Sequence, residues 1–457
     1  MIIAILVGMG VLLVLVDQAV NRWQAQRATQ PAGDSVPPPV GSRTCKPDCP
    51  ACQAEAHPTD RPPRPAPRVK KKSGRPRCVN THWHYCPNKK CSHYGWVGLG
   101  NIVSNGHPNG GHWRQLCCTV CRTYFAESTG TLFYRSRLAP ELLCQLITAL
   151  AEGMSLQATA RVFGVDPHTV KACLVRAAGQ MDAVSHYLIH DLHLTQVQVD
   201  ELWALVQDGD LPEAASLRRH PCAWVWAAVD PLSKLLLATE VGDRSGQYAQ
   251  LLIHAVVLTL APGVVPLFLS DQWAPYATAL LTHFGHWVSV PRRFNRGRRP
   301  QPRWEPLPEL NYAQVVKRRV GGRIVEVTQR VVFGSAEAIT TLLKRAGHTI
   351  NTAFIERVNL TLRMHLPALG RKVLSFAKSG TGLAQQVSLG RTYYNFCLPH
   401  LALRLLLPEP LPTKGNGSPK RWQQRTPAMA AGLTDHVWTM HELLLFRVPP
   451  WRQEVAR

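Results

Sequence analysis

Acidic residues are scarce in this chain: 29 Asp and Glu stand against 52 Lys and Arg, for a formal charge of +23 over 457 residues. That imbalance predicts a polyanionic partner, nucleic acid first and an anionic membrane surface second. A merely basic, soluble protein would spread its excess, whereas "RPPRPAPRVKKKSGRPR" and "RRFNRGRRPQPR" hold much of it in blocks of the kind that interact. Cysteine is almost missing beyond Cys121, where only Cys144, Cys173, Cys222 and Cys397 remain of thirteen. A disulfide scaffold would be small and dense throughout, so the nine clustered between Cys45 and Cys121 point to metal sites in a reducing compartment. No internal repeat is present.

The N-terminus lacks a basic n-region and a small-x-small cleavage site, which argues against a cleaved signal peptide. What it has is "MIIAILVGMGVLLVLV", an apolar run of about sixteen residues where a spanning helix usually needs roughly 17–25. Residues 1–27 are therefore a candidate membrane anchor, touching the bilayer through residues 2–16. The alternative is an upstream stretch translated from a wrongly chosen start. Lys and Arg after the run would keep the bulk of the chain cytoplasmic, tethered to the inner face of the membrane if the anchor is real.

Residues 28–77 are rich in Pro, Arg and small polar residues without apolar period, and read as a disordered linker. Within it "CKPDCPAC" (Cys45, Cys49, Cys52) is a weak second metal candidate, with His57 or Cys78 as fourth ligand. Over 78–134 a stronger pattern appears. Cys86 and Cys91 in "CPNKKC", then Cys118 and Cys121 in "CCTVC", fit a four-thiolate tetrahedral zinc site, structural because a closed shell leaves no open position. Cys117 or His84 could replace one ligand, and the aromatics of "CRTYF" would pack beneath the metal.

From 138 to 185 the pattern is helical, with periodicity from Pro140 to about Met181. "GMSLQATARVFGVDPHTVKACLVRA" has the rhythm of a helix-turn-helix: Leu156, Ala160 and Val162 make the first helix amphipathic, and "FGV" turns. Asp166 serves as N-cap and Pro167 as first helical residue of the second helix. DNA contact would fall on His168, Thr169 and Lys171; an ordinary packing hairpin is the plainer reading.

Beyond 194 the alternation changes to short apolar strands. "TQVQVDELWALV" puts Val197, Val199 and Glu201 on one side and Gln196, Gln198 and Asp200 on the other. "CAWVWAAVD", "KLLLATEVG", "VVPLFLSD" and "HWVSVP" read as further strands, and "SGQYAQLLIHAVVLTLA" and "APYATALLTHF" as helices, an α/β layer order. A basic insertion, 292–334, then interrupts the domain. In "INTAFIERVNLTLR", Phe354, Ile355, Val358, Leu362 and Leu366 share one helical face, while Thr352, Glu356, Asn359 and Arg363 share another. A tail, 401–457, looks irregular and basic.

Three acids invite a joint reading. Asp200 lies on the first strand, Asp271 ends a later strand and Glu356 sits on the late helix, positions that can converge at one sheet edge. Clustered carboxylates repel, so they hold together only around a cation, and Mg²⁺ prefers such hard oxygens. Two such ions suit an in-line phosphoryl displacement. Plainer roles remain open for each: the assignment could slip to Glu201, Asp271 could cap the following helix, and Asp230, although it also ends a strand, belongs to a hairpin turn in "VDPLSK".

"VQVDELWALV", "VPLFLSDQWAPY" and "NTAFIERVNLTLRMHLPALGRKVLSFAKS" resemble the three motif blocks of DDE transposases, most of all the insertion-sequence-one group of bacterial elements. The likeness spans about residues 80–400, including "AAVDPLSKLLLATEVGDRS" between the first two acids. It implies an α/β, RNase H-like catalytic domain over 194–400 preceded by a zinc ribbon and a helix-turn-helix. It further implies Asp200, Asp271 and Glu356 as catalytic acids holding two Mg²⁺, with Mn²⁺ as a substitute. Asn359 and Arg363 would then meet DNA phosphate. The partners expected are the element's terminal inverted repeats and target DNA, bound by a homodimer or larger assembly. The competing expectation is a repurposed, non-catalytic DNA-binding regulator, membrane-tethered by its N-terminus.

Overall fold

In the computed structural model, residues 64–67, 81–108, 110–207, 222–289, 301–321, 323–370, 375–413, 415 and 417–453 are described. All fall within the unit Pro47–Arg457. The apolar N-terminal run, almost all of the 28–77 linker and the Cys45/Cys49/Cys52 cluster lie outside them. Among the described residues no helix is long and apolar enough to cross a membrane.

The first described module is a small antiparallel sheet of β1 (Ile102–Ser104), β2 (Gln115–Cys118) and β3 (Tyr124–Ala126) in the order β1-β2-β3. Three helices follow: α1 (Pro140–Ala151), α2 (Leu156–Phe163) and α3 (Pro167–Leu188). The boundaries of α2 and α3 are written locally. Ser155 Oγ accepts from Ala158 N, Gly164 ends α2 at φ +63°, and Asp166 Oδ1 accepts from His168 N and Thr169 N ahead of Pro167. Each such cap is worth about 1 kcal/mol, and the left-handed turn suits glycine. One expectation fails here: Val162 is 64% exposed, so α2 packs through Leu156, Thr159, Ala160 and Phe163 instead.

The main sheet has six strands. β4 (Gln196–Leu205), β5 (Cys222–Val229) and β6 (Leu236–Gly242) form an antiparallel meander; α4 (Gly246–Val257) then leads to β7 (Leu267–Asp271), parallel to β4. After α5 (Ala274–His283) comes β8 (Gly285–Val288), which pairs with β9 (Arg303–Pro306) outside this sheet. The next place in the sheet goes to β10 (Tyr312–Val320), parallel to β7, and β11 (Arg323–Phe333) completes the order β11-β10-β7-β4-β5-β6. Residues 312–320 and 323–333, expected to be part of an insertion, therefore build two strands of the sheet, while Gly285–Val288 belongs to another ribbon. The cause lies in residues 310–315: Leu310, Tyr312, Ala313 and Val315 are buried, so this stretch takes an interior place, whereas no residue of β8 is buried.

Helices cover both faces. Val197, Val199, Trp226, Ala228 and Phe268 pack against Leu252, Ile253 and Val256 of α4 and Tyr276 and Leu280 of α5. On the other face Leu202, Ala204, Val225 and Ala227 meet Ile355, Val358 and Leu362 of α7 (Ala353–His365) and Leu383 and Val387 of α8 (Gly380–Phe396). On the same face as α7, α6 (Ala336–Arg345) lays Ile339 and Leu343 on Leu267, Leu269 and Ala313. Fully burying one such side chain contributes roughly 1.5–3 kcal/mol, so strict alternation on β4 fixes which face each residue serves.

The expected irregular tail is instead structured over its described part. β12 (Leu405–Leu411) and β13 (Lys420–Gln423) form a hairpin, followed by α9 (Pro427–Ala430) and α10 (Met440–Leu445). Met440, Leu443, Leu444 and Phe446 enter the core of α1–α3. The chain then returns to the first module, where Tyr85 Oη donates to Val448 O and Gln453 Nε2 to Gly95 O. Apolar residues in "VWTMHELLLF" need cover, and the helical module offers it.

Candidate active site and cysteine cluster

The alternation of β4 decides between its two adjacent acids. Glu201 points to the α4/α5 face, where Tyr276 Oη donates to its Oε2 at 3.0 Å and Arg244 Nε to its Oε1 at 3.0 Å. Arg244 in turn lies over the Trp224 and Trp273 rings, at 4.7 and 5.6 Å. Asp200 points the other way, toward α7, and Asn359 Nδ2 donates to its Oδ2 at 2.7 Å. Burial, with Glu201, Asp271 and Glu356 all adding negative potential, pushes the Asp200 carboxyl up to about 7.

Asp271 does not cap α5, whose N-cap is Trp273 without a side-chain bond. Its carboxylate faces α7. Thr352 Oγ1 lies 3.1 Å from Asp271 Oδ1 and 3.0 Å from Glu356 Oε1, and Lys317 Nζ lies 3.2 and 3.3 Å from the two Asp271 oxygens and 2.5 Å from Glu356 Oε1. Burial works against the Lys317 charge, but Glu356 and Asp271 outweigh it and raise its pKa. So Asp271 and Glu356 share one ammonium and one hydroxyl, with Asp200 close enough to feel both.

Helix α7 is held in register by Gln198, two residues before Asp200 on the same face. Its Oε1 accepts from Ile355 N at 3.1 Å and its Nε2 donates to Asn351 O at 2.8 Å. Thr352, the N-cap, makes no side-chain capping bond, so Gln198 satisfies an otherwise orphaned helical N–H.

Expected DNA-contact residues fare differently. His168 and Lys171 are exposed at the start of α3 and Thr169 is half-buried. Arg363 Nη1 reaches Leu369 O at 3.3 Å. Asn359, expected to meet phosphate, is 7% exposed and donates its amide to Asp200, while Glu356 on the same helical face stays exposed. Asp230 closes the β5–β6 turn, accepting from Leu232 N and Ser233 N.

Three residues of this constellation were given no site role from sequence. Thr352 and Gln198 carried a signal, i−4 to Glu356 and i−2 to Asp200, whereas Lys317 had none, because nothing local shows that β10 joins β7.

Cys86, Cys91, Cys118 and Cys121 form the other site, their sulfurs all within 4.8 Å of one another, and could hold a zinc ion. Asn101 Nδ2 donates to Cys118 Sγ at 3.3 Å and His93 N to Cys91 Sγ at 3.4 Å, the kind of outer bonds that steady thiolates. Phe125 packs against them while Tyr124 is 56% exposed; Cys117 and His84 stand outside the quartet. Among the described residues only these four meet that spacing; the carboxylates are not so tightly gathered. Their oxygens nonetheless suit a hard divalent ion, and a cation, the Lys317 ammonium, already lies between two of them.

No family model and no curated protein matches the chain. Among solved structures it is similar to the Mos1 strand transfer complex, at 14% identity over 31% of this chain and 53% of that one with a TM-score of 0.13. It is also similar to the Mos1 transposase paired-end complex with left transposon end, at 16% identity over 32% and 57% with a TM-score of 0.14. A pre-cleavage Mos1 transpososome gives 13%, 32%, 57% and 0.13. The chain thus spans little more than half the length of these chains. Overlap this slight carries no argument about activity, and none of the three bears on the insertion-sequence-one group.

Proposed function

We propose that the chain is a DNA transposase of the DDE type, with an RNase H-like catalytic domain whose Asp200, Asp271 and Glu356 would hold divalent magnesium. The observation that carries the reading is that acids on two parallel neighbouring strands and a crossing helix turn to one side of the sheet, Asp271 and Glu356 around a single positive charge and Asp200 within their electrostatic reach. Mg²⁺ bound there would supply charge neutralisation and a more acidic water.

The chain's own residues do the positioning. Asn359 orients Asp200, Thr352 aligns Asp271 with Glu356, and Gln198 fixes the start of α7. At the element end a water oxygen bonds to phosphorus and the P–O3′ bond breaks, freeing a 3′-hydroxyl. That hydroxyl attacks a target phosphodiester and releases a target 3′-hydroxyl, so cleavage and joining need one geometry and no covalent enzyme intermediate. The cysteine module, with structural zinc, and α2–α3 read as a helix-turn-helix would recognise the terminal repeats. His168, Thr169 and Lys171 would lie at the bases or backbone. Assembly on paired ends implies a homo-oligomer.

The test is strand cleavage of element-end DNA with Mg²⁺, wild type against Asp271→Ala. Loss of at least about a hundredfold in the variant is expected. Equal cleavage by both, or salt-sensitive binding without cleavage under any divalent ion, would reject the enzyme and leave a DNA-binding regulator.

A further inference from the structure

The β10–β11 ribbon runs past the end of β7. Their parallel pairing stops at Val315↔Asp271, and Lys317 follows two residues later, on the same side as Val315. From that overhang its ammonium reaches back across the carboxyl end of β7, to both Asp271 oxygens, Thr352 Oγ1 at 3.3 Å and Glu356 Oε1. No other Lys or Arg among the described residues forms an ion pair with either acid.

We propose that Lys317 is a tethered counter-cation that latches the metal site: it occupies the position between Asp271 and Glu356 and must withdraw before a divalent ion can bind there. The inference rests on the metal-ligand reading above. Two carboxylates this close need a positive charge, and the lysine supplies one without leaving the chain. A divalent ion brings two charges to the same oxygens, so ammonium and ion cannot share the place; like charges at contact distance repel strongly in a partly buried site. The lysine stem springs from a ribbon half outside the sheet, where swinging the ammonium into solvent leaves the buried residues Tyr312–Val315 undisturbed. Metal loading is therefore a competition whose outcome depends on what else draws Lys317 away.

Mn²⁺ titration of the full chain without DNA, followed by electron paramagnetic resonance, reads this directly. Lys317→Gln should bind Mn²⁺ about tenfold or more tightly than wild type, about 1.4 kcal/mol or more, and Asp271→Ala should abolish the added affinity. Lys317→Arg, which keeps the charge, should stay close to wild type, separating loss of charge from a disturbed fold. Asp271-dependent Mn²⁺ binding of equal strength in wild type and Lys317→Gln would overturn the latch and leave the metal-ligand reading standing. Equal tightening by Lys317→Arg and Lys317→Gln would overturn it too. Absence of Asp271-dependent binding in every variant would overturn both readings.

Discussion

Asn359 is buried with its amide nitrogen on Asp200 while its Oδ1 finds no partner among the described residues. An unsatisfied buried carbonyl costs about 1–3 kcal/mol, a cost that makes sense where orienting one acid matters. A second, half-buried acid gives a cleaner pH test. Burial pushes Glu240 on β6 up to about 7, with Arg391 opposing and Asp182 adding to the rise. The unfolded chain releases this proton near the ordinary 4.5 while the folded chain keeps it until about 7. Folding stability thus falls as pH rises through that window, by up to about 3 kcal/mol. Urea unfolding at several pH values should show Glu240→Gln gaining on wild type between pH 4.5 and 7.5; parallel curves would contradict the assignment. At this scale the faces of α7 were legible, because Thr352, Glu356, Asn359 and Arg363 fall four, three and four apart whatever surrounds them. That Asn359 donates to Asp200 was not, since helical period shows which residues share a face and not what that face meets.

Among the elements, α7 depends on β4 for its start. Gln198→Ala removes both bonds to the helix entry and leaves Ile355 N without its acceptor, a loss of about 1–3 kcal/mol. Amide exchange over residues 353–357 should quicken in the variant, and strand cleavage should fall with it. Unchanged exchange there would mean the helix holds its own entry. Strands β4 to β7 and helices α2 to α5 were readable from alternation, period and caps. β10 and β11 were not. "RRVGGRIVEVTQR" carries its apolar residues on an exposed, basic ribbon, so its alternation has no dry face to advertise it, and charge suggests an insertion instead.

Across the whole molecule, the last described residues tie the modules together. Trp451 meets Trp96 edge-on at 5.7 Å, Gln453 Oε1 accepts from Val97 N at 3.1 Å, and α10 fills the core of α1–α3. Met440, Leu443, Leu444 and Phe446 together bury side chains worth roughly 6–12 kcal/mol, comparable to the whole stability of a typical domain, about 5–15 kcal/mol. Deleting residues 438–457 should therefore abolish cooperative unfolding and lower the zinc retained by the cysteine module, measured as metal per chain after dialysis. A truncated chain with full zinc and an unchanged Tm would show the tail dispensable. Zinc content of the intact chain should be one per chain and vanish on replacing Cys118 with Ser.

What the sequence determined alone are relations spanning a few residues: the α7 faces, the alternation that separates Asp200 from Glu201, the cysteine spacings, and Asp166 and Pro167 opening α3. Backbone geometry dictates these within a turn or a pleat. Tertiary structure alone decided that Lys317 meets Asp271 and Glu356, 46 and 39 residues away, and that β10 rather than β8 lies beside β7. Strand order is a competition among distant segments for buried surface, and its result depends on every competitor at once.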